Sequence, residues 1–111
     1  MVETGRAAAF VMDDVLLYSL AAQSRNPGDY AISTEATSVE PYGIMLRRDD
    51  PSFKALVDRT VAGLMQSGEI EKIYAKWFLA PVPPKNVNPN LPISTALKRT
   101  FAKPTDSPEP K

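Results

Sequence analysis

Ala7-Ala8-Ala9-Phe10-Val11-Met12-Asp13-Asp14 is followed at once by Val15-Leu16-Leu17-Tyr18-Ser19-Leu20-Ala21. Six apolar residues in a row, closed by two carboxylates, predict a short buried strand of the kind found in a parallel sheet covered on both faces. The acidic pair then predicts a helix start. Leu16, Leu17, Leu20 and Ala21 fall on one face of that helix.

Outward from this stretch the order of elements continues. Asn26-Pro27-Gly28-Asp29 is a turn signal. Residues 30–33 and 42–47 read as further strands, separated by a polar stretch at 34–41. Asp50 is placed to cap a helix whose first residue is Pro51. Phe53, Leu56, Val57, Val61, Leu64 and Met65 make its apolar stripe, and Gly68 interrupts it. A second helix carries Ile70, Ile73, Tyr74, Trp77 and Phe78 on one face. The predicted order β-α-β-β-α-α is α/β, with a sheet too small to make a whole domain.

From residue 80 the composition changes. Eight of the eleven prolines and none of the five glycines lie beyond it. Residues 80–92 can neither continue a helix nor pair as a central strand, and an extended surface strap is expected. A short helix is expected at 94–102 with Ser94 as its cap. Residues 105–111 are expected to be disordered.

Composition narrows the chemistry. The chain has 111 residues, with 13 Lys plus Arg against 13 Asp plus Glu. Zero net charge and the lack of any basic stripe point away from nucleic acid. Without cysteine or histidine there is no disulfide and no thiolate chemistry, and the commonest general base and metal ligand are missing too. Asp13-Asp14 and Asp49-Asp50 lack the nitrogen or sulfur ligands that would complete a transition-metal site. No cofactor is implied. No stretch approaches the roughly 20 apolar residues of a membrane span. The first residues do not read as a signal peptide; if the protein works outside the cytoplasm, its export signal is expected upstream.

Three motifs resemble one family. Glu3-Thr4-Gly5-Arg6-Ala7-Ala8-Ala9-Phe10-Val11-Met12-Asp13-Asp14 is similar to the segment of family-3 solute-binding proteins in which a Gly-Arg-x-x-Ala strand ends in an aspartate. Glu40-Pro41-Tyr42-Gly43-Ile44 resembles their return crossover. Ser67-Gly68-Glu69, followed by Ile73-Tyr74-Ala75-Lys76-Trp77-Phe78, resembles their closing signature. The Pro-rich end with Leu97-Lys98 is similar to the glutamate/aspartate subgroup.

The resemblance implies part of a type II periplasmic-binding-protein fold. Residues 1–33 would end ligand-binding lobe 2, and 34–47 would be hinge and crossover strands. Residues 48–79 would be the closing helices of lobe 1, and 80–111 a Pro-rich extension. It further implies a periplasmic, non-enzymatic protein that closes on an acidic or polar amino acid and delivers it to an ABC permease. The segment expected to hold the arginine for the ligand's α-carboxylate is not in this sequence. A sensory domain of the same fold and a dehydratase-like enzyme are the alternatives. The first is disfavoured by the Pro-rich end, the second by the lack of His and Cys.

Asp13 is the leading site residue. Ligands of open α/β sheets sit beyond the carboxyl ends of strands, and a carboxylate is the natural partner of an ammonium. On residue type alone Asp13 or Asp14 simply caps the helix. The resemblance reverses that preference for Asp13, as partner of the ligand's α-ammonium, while Asp14 keeps the capping reading. Met12 lines the pocket or belongs to the core. Arg47 and Arg48 read as a solvated charge cluster with Asp49 and Asp50. Trp77 and Phe78 read as core, and Glu35, Glu40, Thr37 and Ser38 have no ligand role. The apolar helix faces lead us to expect a homo-oligomer, with Trp77 and Phe78 at or near its shared core.

Overall fold

Four helices carry the ordered part of the chain: α1 (Asp14–Gln23), α2 (Pro51–Gln66), α3 (Glu69–Phe78) and α4 (Thr95–Ala102). The structure is a computed structural model and describes residues 1–107. Single 3-10 turns precede and follow α1 at Val2–Thr4 and Pro27–Asp29.

Each long element begins where its sequence demands. Asp50 Oδ1 accepts from the Phe53 amide at 3.1 Å and from Ser52 Oγ at 2.9 Å, with Pro51 opening the helix. The cap satisfies one of the amides left over at a helix start, and proline has no amide to satisfy. Ser94 does the same for α4, its Oγ accepting from Leu97 N at 3.1 Å. Between α2 and α3 the chain turns at Gly68, whose φ of 79° lies in the left-handed region that glycine enters without penalty. Glu69 and Glu71 in the first turn of α3 and Lys76 in its last suit the helix dipole.

The chain divides into two compact units. The first comprises Met1–Ser33 and Lys76–Pro92; the second comprises Thr34–Ala75 and the chain from Ile93. In the first unit the turn at Pro27–Asp29 packs against α1. Residues 80–92 form the expected strap, with detail the sequence did not show. Val82 and Val87 make an isolated antiparallel bridge around a turn that contains a cis Pro83-Pro84 bond. Asn86 and Asn90 supply positive φ in the strap. Leu91 donates its amide to Phe78 O at 3.0 Å, and Asn88 Nδ2 donates to Leu79 O at 3.1 Å. These bonds satisfy carbonyls left open at the end of α3. In the second unit α4 packs on α2.

The expected strands are corrected by the structure. Residues 7–12, 30–33 and 42–47 join no ladder, and no strand is present among the described residues. Val11 is 77% exposed and Met45 96% exposed, the opposite of buried strand residues. A strand is an inter-segment structure, and its amides and carbonyls need a second edge. These segments find none among the described residues. The α/β order is therefore realised here only as its helices.

The apolar stripes form but are half covered. On α2, Val57, Val61, Leu64 and Met65 are partly buried while Phe53 and Leu56 stay exposed. On α3, Ile70, Tyr74 and Phe78 are partly buried and Ile73 and Trp77 are exposed. Only Leu91, at 5% exposure, and Phe101, at 7%, are buried among the described residues. Thr105, Asp106 and Ser107 belong to a segment expected to be disordered, yet Asp106 pairs with Lys54 of α2 at 2.8 Å. The remainder of that expectation, residues 108–111, lies outside the described residues.

Candidate functional site

Met12 and Asp13 lie together where extended chain enters α1. Asp13 occupies the N-cap position with φ −55° and ψ 141°. Its carbonyl accepts from Leu16 N at 3.1 Å and Leu17 N at 3.0 Å, which starts the helix. Its carboxylate makes no capping hydrogen bond. The carboxylate that engages the backbone is that of Asp14, whose Oδ1 accepts from Val15 N at 2.7 Å. Asp13 thus holds a helix-start position with its side chain exposed to solvent. Met12 beside it is 48% exposed, so it is not a core residue here.

The rest of the first unit frames this entry. Arg25 N donates to Glu3 Oε1 at 3.4 Å, and Lys85 Nζ donates to Gln23 Oε1 at 3.1 Å. The Tyr30 phenol is held above its ordinary pKa by burial, with Glu3 and Asp29 adding to the effect.

The other singled-out residues lie in the second unit or on α3. Arg47, Arg48, Asp49 and Asp50 line a shallow concavity with Ile44, Leu46, Pro51 and Lys54. Asp49 there has φ 60°, a conformation that non-glycine residues seldom adopt. A second concavity lies between the end of α2, the start of α3 and α4, lined by Met65, Gln66, Gly68, Glu71, Lys98, Phe101 and Ala102. Neither concavity includes Met12 or Asp13. Lys76 Nζ stands 5.2 Å from the centre of the Trp77 ring, a cation–π contact at an exposed site. Trp77 is therefore a half-exposed aromatic rather than the packed one its spacing predicts.

One charged cluster escaped the sequence reading. Lys54 Nζ bridges Asp58, four residues along α2, and Asp106 of the C-terminal segment. The Lys54–Asp58 spacing is a legible helix pair, but the Asp106 partner lies far along the chain and has no local signal. The hydrogen bonds that Lys54 donates to Asp106 and then to Asp58 push its pKa well up, and Lys54 in turn holds Asp106 below the usual carboxylate range.

No protein-family model matches the chain. Curated relatives do. The chain is 47% identical over 106 residues to a protein of Pseudomonas aeruginosa called L-glutamate/L-aspartate-binding protein, a match covering 96% of this chain and 35% of that protein. It is 48% identical over 104 residues to the glutamate/aspartate import solute-binding protein of Escherichia coli, covering 94% of this chain and 34% of the relative. The Salmonella typhimurium protein of the same name is 47% identical over 104 residues, with 94% and 34% covered.

The chain spans about a third of the length of the curated relatives it matches. Over that third it is a homologue of the solute-binding proteins. The relatives it matches at 47–48% identity are named for glutamate and aspartate.

Proposed function

We propose that this chain is part of the substrate-binding component of an ABC-type importer for glutamate, aspartate or a similar polar amino acid, working in the periplasm beside its permease and performing no catalysis. The observation that carries this reading is the identity of 47–48% across 94–96% of the chain to proteins named for that activity. In this reading residues 7–12, 30–33 and 42–47 become strands when the remaining sheet supplies their partners, which gives the α/β architecture its second half. Residues 1–33 then belong to one lobe and 48–79 to the other, with 34–47 between them. Asp13 receives the α-ammonium of the ligand, and Met12 lines the same pocket. The exposed position of Asp13 at the start of α1 supports that role.

A graft tests the site. This chain replaces the matched segment of the Pseudomonas aeruginosa relative, and glutamate binding is followed by calorimetry. Asp13→Asn should keep the fold and weaken binding, since breaking a buried hydrogen-bonded charge pair costs about 3–5 kcal/mol. That is a loss of roughly 10² to 10³ or more in affinity. Asp14→Asn, whose carboxylate serves the backbone, should change affinity little. A less than threefold effect of Asp13→Asn would remove Asp13 from the site.

The exposed apolar residues of α2 and α3 also support self-association of the isolated chain, with Trp77 and Phe78 near the shared surface. Light scattering on a dilute sample should show a dimer or larger species. A folded monomer with a sharp melting transition would contradict this.

A further inference from the structure

We propose that residues 93–107 form a detachable strap on α2, held by two latches of different chemistry. One latch is apolar. Leu97, Thr100 and Phe101 lie on one face of α4 at helical spacing, and all three are withdrawn from solvent. Phe101 is one of only two buried residues among those described, and it shares a concavity with Met65 and Gln66 at the end of α2. The other latch is electrostatic. Asp106 meets Lys54 near the start of α2 at 2.8 Å, with both side chains largely exposed, at 72% and 51%.

The two latches fix the strap's direction. It runs against α2, from the Met65 end back towards Lys54. The distance along α2 from Met65 to Lys54 is about 16 Å at the helical rise. The chain from Ala102 to Asp106 reaches at most about 13 Å when extended, so the long Lys54 side chain closes the span. The second latch therefore holds residues 103–106 along α2, and releasing it frees them to move while α4 stays in place. Lys54 keeps a partner when Asp106 leaves, because Asp58 on its own helix remains in contact. Release leaves no unpaired cation behind, which makes this latch easy to open.

The latches respond to different conditions. An exposed ion pair is screened by salt, whereas the burial of Phe101 is not weakened by moderate salt. Raised ionic strength should free residues 103–107 while α4 stays docked. Removing the Phe101 ring should free the whole strap and open the concavity at Met65, Gln66, Gly68 and Glu71.

The chain has no cysteine, so Thr105→Cys gives a single site for a nitroxide label. Paramagnetic broadening of α2 amides then reports the strap in the full chain. The label should broaden the amides around Lys54 and Asp58 at low salt. Raised salt, or Asp106→Asn, should remove that broadening and leave α4 amide exchange unchanged. Phe101→Ala should remove it and also speed α4 exchange several-fold. Broadening that survives both salt and Asp106→Asn overturns the electrostatic latch. Unchanged α4 exchange in Phe101→Ala overturns the apolar one. Loss of α4 protection in Asp106→Asn alone overturns their independence. The salt arm uses only the labelled chain, so it stands even if the Phe101 variant does not fold.

Discussion

Asp13 and Asp14 are adjacent, identical in chemistry and different in use. Asp14 spends its carboxylate on Val15 N, while Asp13 contributes its carbonyl to the helix and keeps its carboxylate exposed. Residue type alone favours capping for both, because most aspartates at helix starts cap. The split between them is set by backbone geometry that a sequence does not display. Caps farther along were legible. Asp50 before Pro51, and Ser94 three residues before Leu97, form the bonds their positions predict. Asp50→Ala should therefore destabilise α2 by about 1 kcal/mol, the usual cost of losing such a cap. Amide exchange in the first turn of α2 should accelerate while that of α3 is unchanged. Equal exchange in both proteins would mean that the Asp50 contact adds nothing to α2.

At the scale of elements, helices were legible and strands were not. A helix closes its hydrogen bonds within its own segment, so Leu64, Met65, Ile70 and Tyr74 announce α2 and α3 through periodicity alone. The run ending at Met12 is as apolar as a buried strand should be, but a strand depends on a neighbour the run does not contain. Here Phe10, Val11 and Met12 are left exposed. The strap was legible as proline-rich chain. Its anchors, Leu91 on Phe78 and Asp106 on Lys54, are long-range contacts with no local signature.

The Lys54–Asp106 contact also carries a pH prediction. Asp106 is held below its ordinary pKa by the Lys54 hydrogen bond first and by its charge second. A depressed carboxyl contributes above its unfolded pKa and loses that contribution as pH falls through the folded value. The Lys54 pKa is raised, so its contribution is full below the unfolded lysine value and fades only in strong alkali. The tether should therefore hold from neutral pH down past the ordinary aspartate value of about 3.9. Asp58, the other group at Lys54, is the only further carboxylate in this contact. Carboxyl-carbon chemical shifts of Asp106 through an acid titration should give a midpoint below that of a free aspartate. An ordinary midpoint would mean that the tether does not persist in solution.

At the scale of the whole molecule, surface is the governing quantity. Phe10, Leu20, Tyr42, Ile44 and Trp77 are large, mostly apolar side chains, and all are exposed. A helix stripe announces itself by periodicity within its own segment, whereas what covers the stripe depends on contacts distant in sequence. That is why local elements could be read from the sequence while the core could not.

Under the proposed function, binding of glutamate or aspartate rests on more of the fold than the third of the relatives that this chain matches. Calorimetric titration of glutamate and aspartate into the 111-residue chain and, in parallel, into its graft in the Pseudomonas aeruginosa relative tests this most directly. The isolated chain is expected to lack the grip on the ligand's α-carboxylate, where each charge-assisted hydrogen bond contributes about 1.5–3 kcal/mol. We expect no binding to the chain alone below the millimolar range, and clear binding to the graft. Micromolar binding by the isolated chain, or a folded graft that binds neither amino acid, would contradict the account.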